Sequence, residues 1–258
     1  MHIAACNDVD MNRFVEVLFL GSGDAFGSGG RFQTCISVRT PSDRFLIDCG
    51  ASSLIPMKRA GIDPCDVSTI LVTHLHGDHF GGIPFFILDG QLVTRRTAPL
   101  AIVGPLGLRD RVIAAMEILF PGSATARRKF DLEFVELPAR EATTIDGIIA
   151  TAFPVINASG ATPYALRVEA EGRVIVYSGD TEWTPALVEA AHGADLFICE
   201  AYFFDKRVKG HLDYSTFLSR KEELSCKRIV LTHMSEEMLA RLPEVSYATA
   251  SDGMRVSI

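Results

Sequence analysis

Five apolar runs, far apart in this chain, each end in a side chain able to bind a metal or move a proton. "STILVTH" (68–74) and "KRIVLTH" (227–233) share one form, an apolar strand, a threonine and then His74 or His233. "RFLIDCG", "VIVYSGD" and "LFICEA" likewise deliver Asp48, Asp180 and Glu200. Short apolar runs bounded in this way read as buried strands. In layered α/β folds the loops at strand ends are free to carry chemistry. The pattern therefore demands a fold that gathers five strand ends at one pocket.

The remaining segments supply the layers. "RFVEVLFLG" (13–21) reads as a strand, and "TCISVRT" (34–40) with "RFLIDCG" (44–50) as a hairpin turned by Pro41-Ser42-Asp43. Apolar spacing from Ser52 to Ala60 predicts a helix stopped by Gly61. Further on, 83–94 and 106–119 read as helices, with the strand "LAIVGP" between them. Strands follow at 130–137, 148–156, 164–170 and 173–180, the last two joined by Glu171-Gly172 in a hairpin-like turn. "PALVEAAHG" is a helix with Gly193 at its end, and His192 there suits the helix C-terminus. Helices near 214–224 and from Ser235 complete the pattern. Early strands come in hairpins and late ones alternate with helices, so two sheets with helices outside them are expected, an α/β fold.

At 258 residues the chain fits one large domain, 13–258, behind a flexible leader, 1–12. The leader carries Asp8 and Asp10 where a signal peptide needs positive charge and an apolar stretch. No apolar run reaches transmembrane length, and the best one, "GGIPFFILDGQLV", contains Asp89. A net charge of −7 with scattered Lys and Arg argues against a surface built to track nucleic acid. Arg95-Arg96 and Arg127-Arg128-Lys129 read as solvent-facing charge. Six cysteines, Cys6, Cys35, Cys49, Cys65, Cys199 and Cys226, form no C-x-x-C pair and read as buried thiols of a cytoplasmic protein.

"LVTHLHGDHFGG" (71–82) holds three of the seven histidines within six residues. Neutral imidazole and carboxylate are the donors zinc and similar ions prefer. In H-x-H-x-D-H, a turn past a strand aims His74 and His76 at one ion, and Asp78 with His79 at a second. Gly77 allows a tight turn, and Gly81-Gly82 lets the next helix start close to the metals.

This arrangement resembles the metallo-β-lactamase superfamily, over about Phe14 to Met234. The resemblance implies a four-layer αβ/βα sandwich of two mixed β-sheets with outer helices. It implies two divalent ions, zinc by default, with Asp180 of "YSGDT" bridging them and His233 of "LTHMS" completing the second. Asp48 would support the histidine loop from behind. Within the superfamily the chain most resembles ribonuclease Z and its small phosphodiesterase relatives. "FLGSGDAFGSGGRFQTC" looks like their opening motif, and "CEAYF" with "KGHLDYS" implies that Glu200 orients His211 as a proton donor. Asp78, Glu200 and His211 are the implied catalytic residues. Relatives often form homodimers.

One position departs from the family, where Asn157 of "FPVINASG" stands in place of a third histidine ligand. An amide oxygen is a harder ligand than imidazole and would tilt preference toward manganese or iron. Asn157 could instead hold a metal-bound water, or the first site could be weak.

Two such cations would turn a shared water into hydroxide near neutral pH and clamp a phosphoryl oxygen, while His211 protonates the leaving alkoxide. A small or cyclic phosphodiester, an anionic ester, is the expected substrate. Ribonuclease Z inserts a long tRNA-gripping arm between its third histidine and bridging aspartate, and here little more than one hairpin joins Asn157 to Asp180. The rivals are a lactonase or thioesterase on the same scaffold, a tRNA 3′-processing endonuclease, and a metal-binding protein degenerate through Asn157. Lys206, Arg207 and Lys209 read either as a solvated loop or as a holder of anionic substrate.

Overall fold

Along β1 (Glu16–Gly21), Val17 and Phe19 enter one apolar core while Leu18 and Leu20 enter another. Strand side chains alternate between faces, so a strand buried on both faces reads as a continuous apolar run. The same division places Phe45 and Ile47 of β3 (Arg44–Ile47) on the inner side and Leu46 on the outer. In a later strand, Leu196 and Ile198 face inward while Phe197 and Cys199 face outward. The structure, a computed structural model, describes residues 14–258, so the predicted leader, His2 and Cys6 lie outside the described residues.

The first sheet contains β1, β2 (Cys35–Arg39), β3, β4 (Val67–Leu71), β5 (Leu100–Gly104), β6 (Leu132–Glu136) and, at its other edge, the last strand of the chain, Arg255–Ser257. β1 to β3 form an antiparallel meander, and β3 to β6 run parallel. The second sheet repeats that plan. β7 (Ala142–Ile145), β8 (Ile148–Pro154), β9 (Tyr164–Ala170) and β10 (Arg173–Tyr177) are antiparallel neighbours. β11 (Leu196–Glu200), β12 (Ile229–Thr232) and β13 (Ala248–Thr249) then continue in parallel. The final strand, Arg255–Ser257, is β14 and pairs with β1.

The inner faces of the two sheets share a core of residues such as Phe19, Ile36, Val38, Leu166, Val168 and Ile175. Outside the first sheet, α1 (Leu54–Arg59), α3 (Ile83–Leu92) and α4 (Leu108–Leu119) bury Met57, Phe86, Ile87, Val112 and Met116. Outside the second, α5 (Pro185–Ala191), α6 (Tyr214–Arg220) and α7 (Glu236–Ala240) bury Leu187, Phe217 and Met238. Each such side chain contributes roughly 1.5–3 kcal/mol by leaving water. The order helix, sheet, sheet, helix is the four-layer sandwich expected.

Several local readings need correction. β7 was hidden in "ATTI", although Asp146-Gly147 follows it with both residues left-handed (φ 44° and 84°), as a tight hairpin requires. Arg96 is not solvent-facing. It is 2% exposed, donates to the carbonyls of Pro99, Pro64 and Val67, and lies over the Phe130 ring. A buried guanidinium persists where carbonyl oxygens satisfy it. Gly77 has no positive φ, and a Cβ there would meet open space, so no tight turn demands it. Close packing does require Gly50, where a Cβ would stand 2.3 Å from the Asp78 carbonyl, and Gly82, where a Cβ would stand 2.2 Å from the Gly50 carbonyl.

The chain end braces the glycine-rich turn after β1. Asp252 Oδ1 accepts from Ser22 N (2.9 Å) and Ser22 Oγ (2.8 Å), and Oδ2 accepts from Phe32 N (2.8 Å). Cys35, Cys49 and Cys199 are buried thiols, Cys65 and Cys226 are partly exposed, and all five are free. Among the described residues, no helix is long and apolar enough to cross a membrane.

Candidate metal centre

The centre grows from strand ends. Just past β3, Asp48 sits fully buried in the left-handed region (φ 60°), a conformation that costs a residue with a Cβ about 1 kcal/mol. Its Oδ1 accepts from Thr73 N (2.8 Å), and its Oδ2 from Thr73 Oγ1 (2.8 Å) and His79 Nδ1 (2.6 Å). With its proton given to Asp48, the Thr73 hydroxyl accepts from His74 Nδ1 at 3.0 Å. One carboxylate thus fixes two imidazoles in the tautomer that keeps Nε2 free as a donor atom.

The H-x-H-x-D-H stretch begins after β4 and enters the short helix α2 (Gly77–Phe80). His79 Nε2 lies 3.2 Å from Asp78 Oδ2 and 3.3 Å from Asp180 Oδ1, the latter delivered by the loop after β10. His74 Nε2 lies 3.7 Å from Asp180 Oδ2 and 3.2 Å from His76 Nδ1. After β12, His233 also takes a left-handed backbone (φ 57°), which lets its N–H donate to the Ser22 carbonyl at 3.2 Å. Its Nε2 comes to 3.3 Å from Asp78 Oδ2 and 3.4 Å from Asp180 Oδ1. Two donor sets result, Asp78, His79, Asp180 and His233 in one, and His74, His76 and Asp180 in the other. Within each, one ligand atom per residue lies within 4.8 Å of all the rest, and Asp180 belongs to both and also to a third such set with Glu200, His211 and His233.

These residues fit a divalent cation. His79 Nε2 and Asp180 Oδ1 are buried and face each other, yet neither has a hydrogen-bond partner. Burial alone would lower the His79 pKa, but Asp180, Asp78 and Asp48 together raise it well above the usual imidazole range. His233 is likewise lifted, against its burial, to about 10 by Asp180, Asp78 and Glu200. The same histidines, overcoming burial, hold Asp78 and Asp180 well below the ordinary carboxylate range. His74 goes the other way, kept neutral by burial and by His79. Carboxylates that draw protons onto neighbouring imidazoles define a buried site calling for positive charge, and imidazole with carboxylate is the donor set of zinc and its neighbours.

Glu200, fully buried at the end of β11, receives the His211 Nδ1–H on Oε1. Its Oε2 accepts from Thr181 N (3.1 Å) and Leu212 N (2.9 Å). Burial opposes a charged His211, but the hydrogen bond to Glu200 wins and raises its pKa. His211 Nδ1 is 3.9 Å from Asp180 Oδ2, and its side chain is 24% exposed. A half-exposed imidazole anchored through one nitrogen can carry a proton to a neighbouring ligand.

Asn157 lies on the loop after β8, whose Ala158 carbonyl is 3.3 Å from His76 Nε2. Its Nδ2 donates to the Gly210 carbonyl at 2.8 Å, and its Oδ1 is buried without a partner. The amide is therefore tethered through nitrogen, with its buried oxygen left without a partner. His192 caps α5 away from both donor sets, and Lys206 lies over the Phe203 ring at 4.8 Å. Thr73 and Tyr202 escaped the sequence reading. The threonine before each histidine was a visible signal for Thr73. Nothing in "CEAYF" announced that the Tyr202 ring stacks on His211 at 4.5 Å.

The chain is similar to several known proteins. Residues 15–248 match the family described as Anti-Pycsar protein Apyc1. A ribonuclease Z of Agathobacter rectalis is 28% identical over 278 aligned residues, covering 87% of this chain and 89% of that protein. The short form of human tRNase Z (ELAC1), 26% identical, superposes with a TM-score of 0.76 over 94% of this chain and 99% of its own. A diphosphatase of the PhnP family, 19% identical, shares the fold, with a TM-score of 0.75 over 95% of this chain and 97% of its own. The chain belongs to the Anti-Pycsar protein Apyc1 family and is a ribonuclease Z-like hydrolase of the metallo-β-lactamase superfamily.

Proposed function

We propose that this hydrolase acts on a small or cyclic phosphodiester, with two divalent cations, zinc the first choice. His74, His76 and Asp180 with the Asn157 amide oxygen would hold one ion, and Asp78, His79, Asp180 and His233 the other. The observation that carries the reading is the buried Glu200 gripping His211 within 4 Å of Asp180. A thioester's thiolate leaves without such a donor, whereas an alkyl phosphodiester expels a poor alkoxide that needs one.

Bound cations supply Lewis acidity toward a phosphoryl oxygen and ready ionisation of water. The chain's own residues do the rest. Asp48 and Thr73 fix the two imidazoles so that no reorganisation is needed at the moment of reaction. Glu200 keeps the proton-bearing His211 charged and oriented, and His211 gives the proton on Nε2 to the departing oxygen. Two backbone N–H groups and the imidazole hold the Glu200 carboxyl in one orientation.

A second reading, tRNA 3′ processing, draws on the relatives named ribonuclease Z. Against it, the 258-residue chain is shorter than its own 278-position alignment with that relative, which therefore carries insertions this chain lacks. The β9–β10 hairpin fills the span between Asn157 and Asp180. We read the protein as cytoplasmic and homodimeric, which light scattering checks for the second part.

The test is a panel of bis(p-nitrophenyl) phosphate, a cyclic phosphodiester, a lactone, a thioester and a precursor tRNA, each with zinc- and manganese-loaded protein. Turnover of both small diesters is expected, collapsing in His211→Ala on the cyclic phosphodiester, whose alkoxide leaves poorly, and falling far less on the p-nitrophenyl diester. Preferential cleavage of the lactone, or of the tRNA, sinks the reading.

A further inference from the structure

Beside His211 opens a cleft of about 670 Å³ whose other walls the chemistry above leaves unused. Trp183 forms one wall, and Arg207, Lys209 and Arg220 bring cationic side chains to it. The acids that line the cleft are already engaged. Glu182 Oε1 accepts from Gly210 N (2.9 Å), and Asp213 accepts from Thr216 N (2.8 Å) and Thr216 Oγ1 (2.7 Å). Arg220 shares its charge with Glu223, but Arg207 and Lys209 form no ion pair among the described residues. The balance inside the cleft is positive although the chain carries −7.

The cationic turn is held in place. β-Bridges join Phe203 to Asp213 and Val208 to His211. Gly210 lies between Lys209 and His211 with φ +83°, its N–H on Glu182 and its carbonyl on Asn157 Nδ2. A Cβ at Gly210 would approach Asn157 Nδ2 to 3.2 Å. The backbone that carries Arg207 and Lys209 is thus held beside the proton donor.

We propose that this cleft binds the leaving half of the diester and selects leaving groups that join a planar ring to a further phosphate. The ring would lie on Trp183 and the phosphate between Arg207 and Lys209. His211 lines the same cleft with Nδ1 held by Glu200, which leaves Nε2 for the departing oxygen. The assignment to the leaving side rests on the role proposed for His211, whereas the ring-and-phosphate site stands on the cleft itself.

Trp183 is the sole tryptophan, so its emission reports on the cleft directly. Phenyl phosphate, a monoester, is titrated into the zinc-loaded protein. A saturable emission change is expected, weakened at least tenfold in Arg207→Ala/Lys209→Ala and weakened by added salt, yet retained in Asp180→Asn. No emission change, equal affinity in the double variant, or loss in Asp180→Asn would each overturn the site, the last placing the phosphate at the metal ligands. Binding that persists in a protein hydrolysing no diester would keep the ring-and-phosphate site and overturn only its leaving-side role. Lys209→Glu, a single exposed change, guards against a double variant that misfolds and should weaken binding further.

Discussion

Asp48 Oδ2 lies 2.6 Å from His79 Nδ1, and both residues are fully buried. The imidazole behind the metal centre therefore owes its orientation to a carboxylate from another strand. Asn tolerates a left-handed backbone as well as Asp does, so Asp48→Asn removes charge and leaves the φ of 60° unstrained. We expect zinc affinity to fall about 10–100-fold, measured by competition with a chromogenic chelator. Unchanged affinity would show that His79 needs no such partner.

His211 is anchored by Glu200, so its loss should matter in proportion to the leaving group. His211→Ala is expected to cost roughly 10²–10⁴-fold in kcat on an alkyl phosphodiester, and far less on a p-nitrophenyl ester whose phenolate departs unaided. Comparing the two substrates in parallel gives the ratio, and an equal loss on both counts against proton donation.

Asn157 stands where the resemblance expects an imidazole, with Oδ1 buried and unpaired. Asn157→His should tighten the weaker of two zinc equivalents, and Asn157→Ala should loosen it while also freeing the Gly210 carbonyl, a loss of about 1 kcal/mol. Calorimetric zinc titration follows both variants. Two equivalents of unaltered affinity would place Asn157 outside the coordination.

Removing metal leaves buried acids facing buried imidazoles, so chelation should destabilise the fold. An ion present at a hundredfold excess over its dissociation constant adds about 2.7 kcal/mol. For a domain of this size that is a rise of roughly 5–10 °C in Tm. Thermal unfolding before and after chelation, and after zinc return, reads the difference. A Tm indifferent to chelator would mean that no ion is held there.

Away from the centre, Asp195 accepts from Val174 N (2.9 Å) and Lys227 Nζ (2.8 Å). Burial opposes its ionisation, but the bonds from Lys227 and Val174 outweigh that and lower its pKa. A depressed carboxylate stabilises the fold above its unfolded pKa, about 3.8–3.9, and the contribution vanishes as pH falls through the lower folded value. Asp195→Asn should therefore unfold earlier than the parent at pH 7 and together with it near pH 2. A gap that persists in acid would assign the effect to packing.

Much of this centre was legible because period-two strands advertise their ends. Asp48, Asp180, Glu200 and His233 each close an apolar run, so topology alone brought them together. Other features depend on contacts the local sequence does not encode. The left-handed φ at Asp48 and His233 follows from hydrogen bonds to Leu71 and Ser22, far away in the chain. Arg96 looked like surface charge because carbonyls from 64, 67 and 99 are invisible in "TRRT". Tyr202 and Trp183 carried no motif, and only the folded loops set them beside His211. β7 was recoverable, since Asp146-Gly147 is a hairpin signal in its own right.

The grip of Asp252 on Ser22 and Phe32, with β14 laid against β1, has a bearing on biosynthesis. The turn after β1 is clamped by a residue 230 positions later in the chain, and that turn's Ser22 carbonyl receives the His233 amide. A nascent chain still short of residue 252 has every candidate ligand but lacks the clasp that seats His233, so hydrolysis should begin only once translation has passed that point.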